Sequence, residues 1–197
     1  MSTDRETGGR GPRRADARTN RERILTVAEE VFGKGGRSAS TEEVARLAGV
    51  GIATVFRHFP TKAVLLEAVL AQRFHRLRER AESLFDATDP GTAFFGFFRN
   101  LVTDAPGKIA IGEALLEAGG DDGGDAAQAS AGLRRAVGVL LQQAQRAGAV
   151  RDDVELPEVY ALLVATSQAS ARTHLGEEVR DRMLAVVFDG LAPLRAR

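Results

Sequence analysis

Residues 48–62 read AGVGIATVFRHFPTK, and this stretch decides the fold of the N-terminal part of the chain. Gly49 predicts a sharp turn, because glycine reaches positive φ without the steric penalty of a Cβ atom. A short helix is expected over Ile52–His58, and Pro60 ends it. Thr61 is a suitable N-cap for the helix that follows. Two short helices joined by a tight glycine turn are typical of a helix-turn-helix.

The flanking sequence supports this arrangement. An apolar stripe that includes Ile24, Ala28 and Val31 predicts a helix from about residue 19, ended by the glycines that follow it. Ser40 and Glu43 have the spacing of a capping box, which starts a helix over 41–48. After Thr61, apolar residues recur at spacings of three and four, which predicts a long helix over 62–85.

Beyond residue 85 the pattern stays helical, with prolines and glycines between the segments. The predicted helices are 91–103, 108–118, 126–147, 157–174 and 177–191. Strand-like alternation is not sustained anywhere, so the fold class is predicted to be all-α.

Composition excludes several classes of protein. No apolar run in the 197 residues reaches the length of a membrane span, and the N-terminal residues lack the apolar core of a signal peptide. The chain has no cysteine, which removes disulfides, thiolate zinc sites and cysteine nucleophiles. We expect a soluble, cytoplasmic protein with no membrane partner.

The formal net charge of zero hides an asymmetry. Residues 1–62 hold 12 Lys and Arg against 8 Asp and Glu, whereas residues 63–197 hold 15 against 19. A basic N-terminal third suggests contact with a polyanion, although an uneven solvated surface would give the same count. We divide the chain into a disordered basic arm (1–17), a helix-turn-helix domain (18–62) and a helical effector-binding and dimerisation domain (63–197).

The outer face of the second short helix carries the groups that read a DNA groove. Arg57 can reach guanine or phosphate, and Thr54 can donate to phosphate. Ile52 and Ala53 can pack on a thymine methyl group, and His58 can donate from a ring nitrogen. From the pattern alone, the alternative is that these are ordinary surface residues with Phe56 in the core.

Residues 21–66 closely resemble the DNA-binding domain of the TetR family of bacterial transcriptional regulators. The resemblance rests on Ala48-Gly49-Val50, then Phe56, then Phe59-Pro60-Thr61 and Lys62, in the family's order and spacing. It covers about the N-terminal third. It implies a sequence-specific regulator and no enzyme, most simply a dimeric repressor released from a palindromic operator by a small apolar ligand. The alternative is a ligand-independent architectural DNA-binding protein of the same fold.

The resemblance also assigns roles to individual positions. It implies phosphate contacts at helix N-termini for Thr41 and Lys62, and contacts with bases or backbone for the outer face, whose members are Ile52, Ala53, Thr54, Phe56, Arg57 and His58. Gly51 stands where the family usually has a serine cap. Phe56 replaces the usual tyrosine and lacks the hydroxyl that contacts phosphate. We leave open whether the arm arginines Arg10, Arg13 and Arg14 touch DNA.

The predicted helix 91–103 carries four phenylalanines in five residues, more apolar surface than one neighbouring helix covers. The simpler interpretation is core packing. Together with the resemblance, the pattern favours a ligand cavity lined by Phe74, Leu77, Phe94, Phe98, Leu101, Leu115, Val137, Leu140 and Tyr160.

The last two predicted helices mix apolar and small residues, which indicates a homodimer interface through Leu162, Ala165, Ala169, Val179, Met183 and Val187. The alternative is packing within one chain. Catalytic, metal and cofactor sites are not expected, because His58, His75 and His174 are scattered without the spacing of metal ligands.

Overall fold

The computed structural model of the chain describes residues 12–120, 124–173 and 175–193. Within these ranges it contains α-helices, one 3-10 turn (Gly36–Ser38) and no strand, so the all-α prediction is confirmed. The helices are α1 (Pro12–Gly35), α2 (Thr41–Leu47), α3 (Ile52–His58), α4 (Lys62–Glu82), α5 (Pro90–Glu117), α6 (Gly124–Arg146), α7 (Leu156–Arg172) and α8 (Glu177–Leu191). Arg10 and His174 lie outside the described residues. No helix in the described ranges combines the length and the apolar character that a membrane crossing requires.

Helix α1 begins at Pro12, so residues 12–17, which were predicted to be part of a disordered arm, are helical. Proline suits the start of a helix, since its missing N–H group would have no partner there. A pair of residues one turn apart, Arg18 and Glu22, approaches to 3.7 Å. The extension has no apolar periodicity, which is why the sequence pattern did not reveal it.

Helix α5 is continuous, so the prediction of two helices broken at Pro106 is wrong. An interior proline loses one hydrogen bond and crowds the preceding turn. Here both sides of the proline are anchored, since Ala105 and Ile111 are fully buried. Arg73 of α4 also donates from Nη2 to the carbonyl oxygen of Asp104, 2.9 Å away, just before the proline. Packing therefore outweighs the local cost of Pro106.

The buried side chains form two clusters. The N-terminal cluster joins α1, α2, α3 and the first half of α4 to the C-terminal part of α5 and the start of α6, where Ile111 and Ala126 contribute. The C-terminal cluster holds the end of α4, the first half of α5, the rest of α6, and α7 and α8. The helix-turn-helix thus shares its core with the body of the protein.

Candidate nucleic-acid interface and the cavity in the helical body

The turn between α2 and α3 is fixed by backbone geometry. Gly49 has φ +62°, as its position in the sequence predicts. The amide of Gly49 donates to the carbonyl of Arg46 (3.2 Å), and the amide of Val50 donates to that of Ala45 (3.0 Å). These two bonds form a Schellman motif, which closes α2 and redirects the chain. At the other end of α2, Ser40 Oγ accepts from the amide of Glu43 at 3.1 Å, one half of the predicted capping box.

Helix α3 is held from one side only. Val55 is fully buried and Phe59, just after the helix, is 2% exposed. The opposite side, which we call the recognition face, consists of Ile52, Ala53, Thr54, Phe56 and Arg57. Ile52 is 36% and Phe56 42% exposed, and Ala53 and Arg57 are exposed as well. The alternative that Phe56 belongs to the core does not hold in this structure.

The N-terminus of α3 is less firmly capped than the N-termini of α2 and α4. Gly51 is the N-cap and has no side chain to bind the free amides. Its carbonyl accepts from the amides of Thr54 (2.8 Å) and Val55 (3.3 Å). At the start of α4, by contrast, Thr61 Oγ1 accepts from the amide of Val64 at 3.2 Å.

The remaining residues predicted to bind DNA lie deeper. Thr41 is buried and His58 is half-buried, with its ring centroid 6.2 Å from that of Phe59. Lys62 Nζ donates to the carbonyl oxygen of Ala39 at 3.0 Å and lies 5.1 Å from the centroid of the Phe32 ring. A lysine in the first turn of a helix is unfavourable for the helix dipole, and here a backbone carbonyl oxygen and an aromatic ring of the protein offset part of that cost.

An open cavity of about 540 Å³ lies among α4, α5, α6 and α7. It is lined by Leu70, Phe74, Lys108, Ile109, Gly112, Leu115, Ala126, Ala127, Ser130, Ala131, Arg134 and Tyr160. Of the predicted ligand-binding residues, it brings together Phe74, Leu115 and Tyr160. Leu77 lines a different, polar cavity beside Glu29 and Arg73.

The other predicted ligand-binding residues are buried in the C-terminal cluster; they are Phe94, Phe98, Leu101, Val137 and Leu140. Phe188 of α8 covers the phenylalanine-rich face of α5, with its ring centroid 4.8 Å from that of Phe95 and 5.5 Å from that of Phe98. The excess apolar surface of α5 is therefore covered by a second helix. For these residues the structure shows core packing.

Sequence reasoning missed the two cations of the cavity. The ammonium group of Lys108 lies 5.9 Å from the centroid of the Phe74 ring, and the guanidinium of Arg134 lies 4.7 Å from that of Tyr160. Burial lowers the pKa of Lys108 below its usual 10.5; Asp104 opposes this effect, and Arg73 adds to it. The available signal for a cation in the cavity was Lys108, which lies within an otherwise apolar stretch of α5. Pro106 predicted a helix break before it, so the sequence did not indicate that α5 is one continuous helix.

A buried arginine, also missed, connects the helix-turn-helix to the body. Arg73 of α4 binds both carboxylate oxygens of Asp104 on α5, through Nη2 (2.6 Å) and Nε (3.0 Å). Its Nη1 donates to Glu29 of α1 at 2.9 Å, and the more exposed Arg76 also pairs with Glu29. One guanidinium thus joins three helices.

The predicted dimer residues lie on α7 and α8, and the two helices expose apolar side chains. Leu162 is 37% exposed and Val179 45% exposed; Ala165 is exposed, whereas Ala169, Met183 and Val187 are half-buried. Two further apolar residues that the prediction did not include, Val164 (46%) and Val186 (73%), extend the exposed surface. We call the exposed apolar side chains of these two helices the α7–α8 face.

Comparison with family models gives two matches. Residues 24–69 match the model described as bacterial regulatory proteins, tetR family. Residues 89–193 match the model described as transcriptional regulator SbtR-like, C-terminal domain. The second match alone spans more than half of the chain and contains most of the helical body.

Similar proteins agree with these matches. A crystal structure of a TetR transcription regulatory protein from Mycobacterium vanbaalenii is 40% identical, with a TM-score of 0.75 over 92% of this chain and 99% of that one. A TetR transcriptional regulator from Streptomyces coelicolor is 31% identical, with a TM-score of 0.73 over 89% and 99% of the two chains. The HTH-type transcriptional regulator TtgW of Pseudomonas putida is 44% identical over 64 residues, which is 32% of this chain. The chain spans 48% of TtgW, about half of that curated relative's length.

Proposed function

Because the chain belongs to the TetR family of bacterial transcriptional regulators, we propose that it is a cytoplasmic, dimeric repressor that a small ligand releases from a palindromic operator. The observation that carries the DNA-binding part is the recognition face of α3. Phe56 and Arg57 stand out from a helix whose inner side is locked by Val55 and Phe59. A helix held in this way can enter the major groove and present its outer residues to base edges.

The assignments within the face follow from exposure and chemistry. Arg57 is the residue that would donate hydrogen bonds to guanine or to a phosphate. Ile52, Ala53 and Phe56 offer apolar contacts to thymine methyl groups. Thr54 is half-buried and can donate to a phosphate. Lys62 donates one of its three N–H groups to the carbonyl oxygen of Ala39, so it can position α4 beside the turn before α2 and still contact a phosphate.

Dimerisation through the α7–α8 face would place two recognition faces on one duplex. A twofold dimer matches palindromic half-sites about 34 Å apart. Apolar side chains such as Val186, at 73% exposure, are costly in water and are buried when a second copy packs against them. Val186→Asp should give a monomer in analytical ultracentrifugation. Val139→Asp, a matched change at an exposed valine of α6, should leave the dimer intact.

The DNA-binding proposal is tested with duplexes selected from a random pool by the purified protein. Arg57→Ala should weaken binding to the selected duplex by about 1–3 kcal/mol and reduce the dependence on salt. Arg146→Ala, at the far end of α6, removes the same charge away from α3 and should bind as the unmodified protein does. If no duplex is enriched, or if Arg57→Ala binds as tightly as the control, the proposal is wrong.

Release by a ligand needs a path from the cavity to the recognition face. Helix α4 offers one, since Phe74 lines the cavity, Arg73 holds α1 and α5, and Lys62 begins the helix beside the turn before α2. A ligand that prefers one position of α4 would shift the population of dimers away from the spacing that fits the operator.

A further inference from the structure

We infer that the effector is an amphipathic organic anion, a carboxylate with an apolar body, bound between Lys108 and Arg134. This inference rests on the proposed function, since it names the chemistry of the ligand in the cavity among α4, α5, α6 and α7. At about 540 Å³ the cavity falls within the range of small-molecule sites, roughly 300–1,000 Å³.

The charged lining residues that the structure describes have one sign. They are Lys108 and Arg134, and Tyr160 is the one other titratable group among the described lining residues. Within the described part of the chain, no carboxylate forms an ion pair with either cation. Both cations lie against aromatic rings, which attract a cation but do not neutralise its charge.

The carboxylate near Lys108 is that of Asp104, but it is bound to Arg73. Asp104 acts on Lys108 through space, yet both of its oxygens bind the guanidinium of Arg73. Among the residues that the structure describes, Lys108 therefore has no direct counter-ion while it is partly desolvated. Burying a charge in this way is unfavourable unless it gains a partner, and a ligand carboxylate would supply one.

The rest of the lining fits the apolar body of such a ligand. Leu70, Phe74, Ile109 and Leu115 provide aliphatic and aromatic surface, and alanines on α6 leave room between the helices. An amphipathic carboxylate would place its tail against these residues and its head group between the two cations. A neutral apolar ligand would leave the partly buried Lys108 and the exposed Arg134 without an opposite charge, and an inorganic anion would leave the apolar lining empty.

The chain contains its own reporter for this site. Tyr160 is the single tyrosine of the sequence, and there is no tryptophan. Because Tyr160 lines the cavity beneath Arg134, we expect its fluorescence to change when the site is occupied, without any added label. Non-aromatic probes avoid overlap with its emission. We choose decanoate and 4-cyclohexylbutyrate, each compared with the alcohol of the same carbon skeleton.

The full-length protein should bind each carboxylate at least about tenfold more tightly than the matched alcohol, as expected for charge-assisted hydrogen bonds. Lys108→Met and Arg134→Met should each reduce this preference, and the double variant should remove it. Arg135→Met, an exposed neighbour on α6 that does not line the cavity, should retain it. The inference is overturned if neither carboxylate binds, if the alcohols bind as well, or if the preference survives in the double variant.

This binding measurement uses no DNA, so its failure is separate from that of the proposed function. A second measurement adds the carboxylates to the complex with the selected duplex. Both proposals are supported if decanoate releases the protein from the duplex and decan-1-ol does not. The double variant Lys108→Met/Arg134→Met should then no longer be released by decanoate. Charge-dependent binding by a protein that selects no duplex would support the anion site and reject the repressor.

Discussion

At the scale of single residues, Gly49 and Gly96 show how backbone conformation decides the effect of one substitution. A Cβ atom at either position would meet nothing within 4 Å, so packing does not distinguish them. Gly49 has φ +62°, whereas Gly96 lies inside α5. Gly49→Ala should lower the free energy of unfolding by about 1 kcal/mol, and Gly96→Ala should raise it by about 0.5–1 kcal/mol. Urea unfolding followed by circular dichroism tests both, and shifts of the same sign would contradict the argument.

Lys108 should make the stability of the protein depend on alkaline pH. Its pKa is lower in the folded protein than its usual 10.5, chiefly because of burial. Between these two pKa values the unfolded chain binds more protons, so stability rises with pH. The unfavourable contribution of Lys108 is fully present below the lowered pKa and disappears as the pH approaches 10.5.

Lys108→Met should therefore be more stable than the unmodified protein at neutral pH, and the difference should shrink as the pH rises. Urea midpoints of the two proteins, measured over a series of pH values, give this difference directly. Lys34→Met replaces an exposed lysine at the end of α1 and should give no comparable stabilisation at neutral pH. A gap between Lys108→Met and the unmodified protein that widens toward alkaline pH would refute the assignment.

At the scale of helices, Phe188 is an aromatic contact that packs α8 against α5. It lies against Phe95 and Phe98, and the guanidinium of Arg99 lies 5.8 Å from the centroid of its ring. Phe188→Ala should cost about 3 kcal/mol, the low end for phenylalanine because the side chain is only half-buried. Thermal unfolding measures the loss. Val139→Ala, at 37% exposure on α6, should unfold almost as the unmodified protein does, whereas equal losses would place Phe188 outside the core.

Helices that carry their own end signals could be predicted from the sequence, and those that depend on packing could not. Gly49 ends α2, and Pro60 and Thr61 mark the end of α3 and the start of α4; the observed bounds of α3 agree with the prediction. Pro106 suggested a break, but burial on both sides of it keeps α5 whole. For the same reason the recognition face was predictable, whereas the cavity residues Lys108 and Arg134 depend on how four helices meet.

At the scale of the whole molecule, the helix-turn-helix and the body form one packed unit. The N-terminal cluster contains Phe32 of α1 and Val55 of α3 together with Leu115 of α5 and Ala129 of α6. The cavity lies along the same part of α4, with Leu70 in both the cluster and the lining. The cavity and the recognition face are therefore both built on side chains of one buried cluster.

Arg73 is the charged residue that joins the helices of this unit. Its removal should lower the free energy of unfolding far more than the removal of Arg76 does. Arg73 and Arg76 both pair with Glu29, but Arg73 is 11% and Arg76 46% exposed at the side chain. Arg73→Ala leaves Glu29 and Asp104 without their shared buried partner, which should reduce the free energy of unfolding by about 3 kcal/mol. Arg76→Ala removes an exposed charge and should cost less than about 1 kcal/mol.

The pair of variants also separates electrostatics from loss of side-chain volume. Arg73→Met keeps most of the aliphatic stem, so it should remain nearly as unstable as Arg73→Ala if the unpaired carboxylates dominate. Adding Glu29→Gln to Arg73→Met should then recover part of the loss, because Glu29 is 18% exposed and would keep only the more exposed Arg76 as a partner. Urea unfolding of the single and double variants gives the coupling directly. Additive losses would mean that Arg73 holds α1, α4 and α5 together by packing, and the charge network would then have no part in joining the cavity to the recognition face.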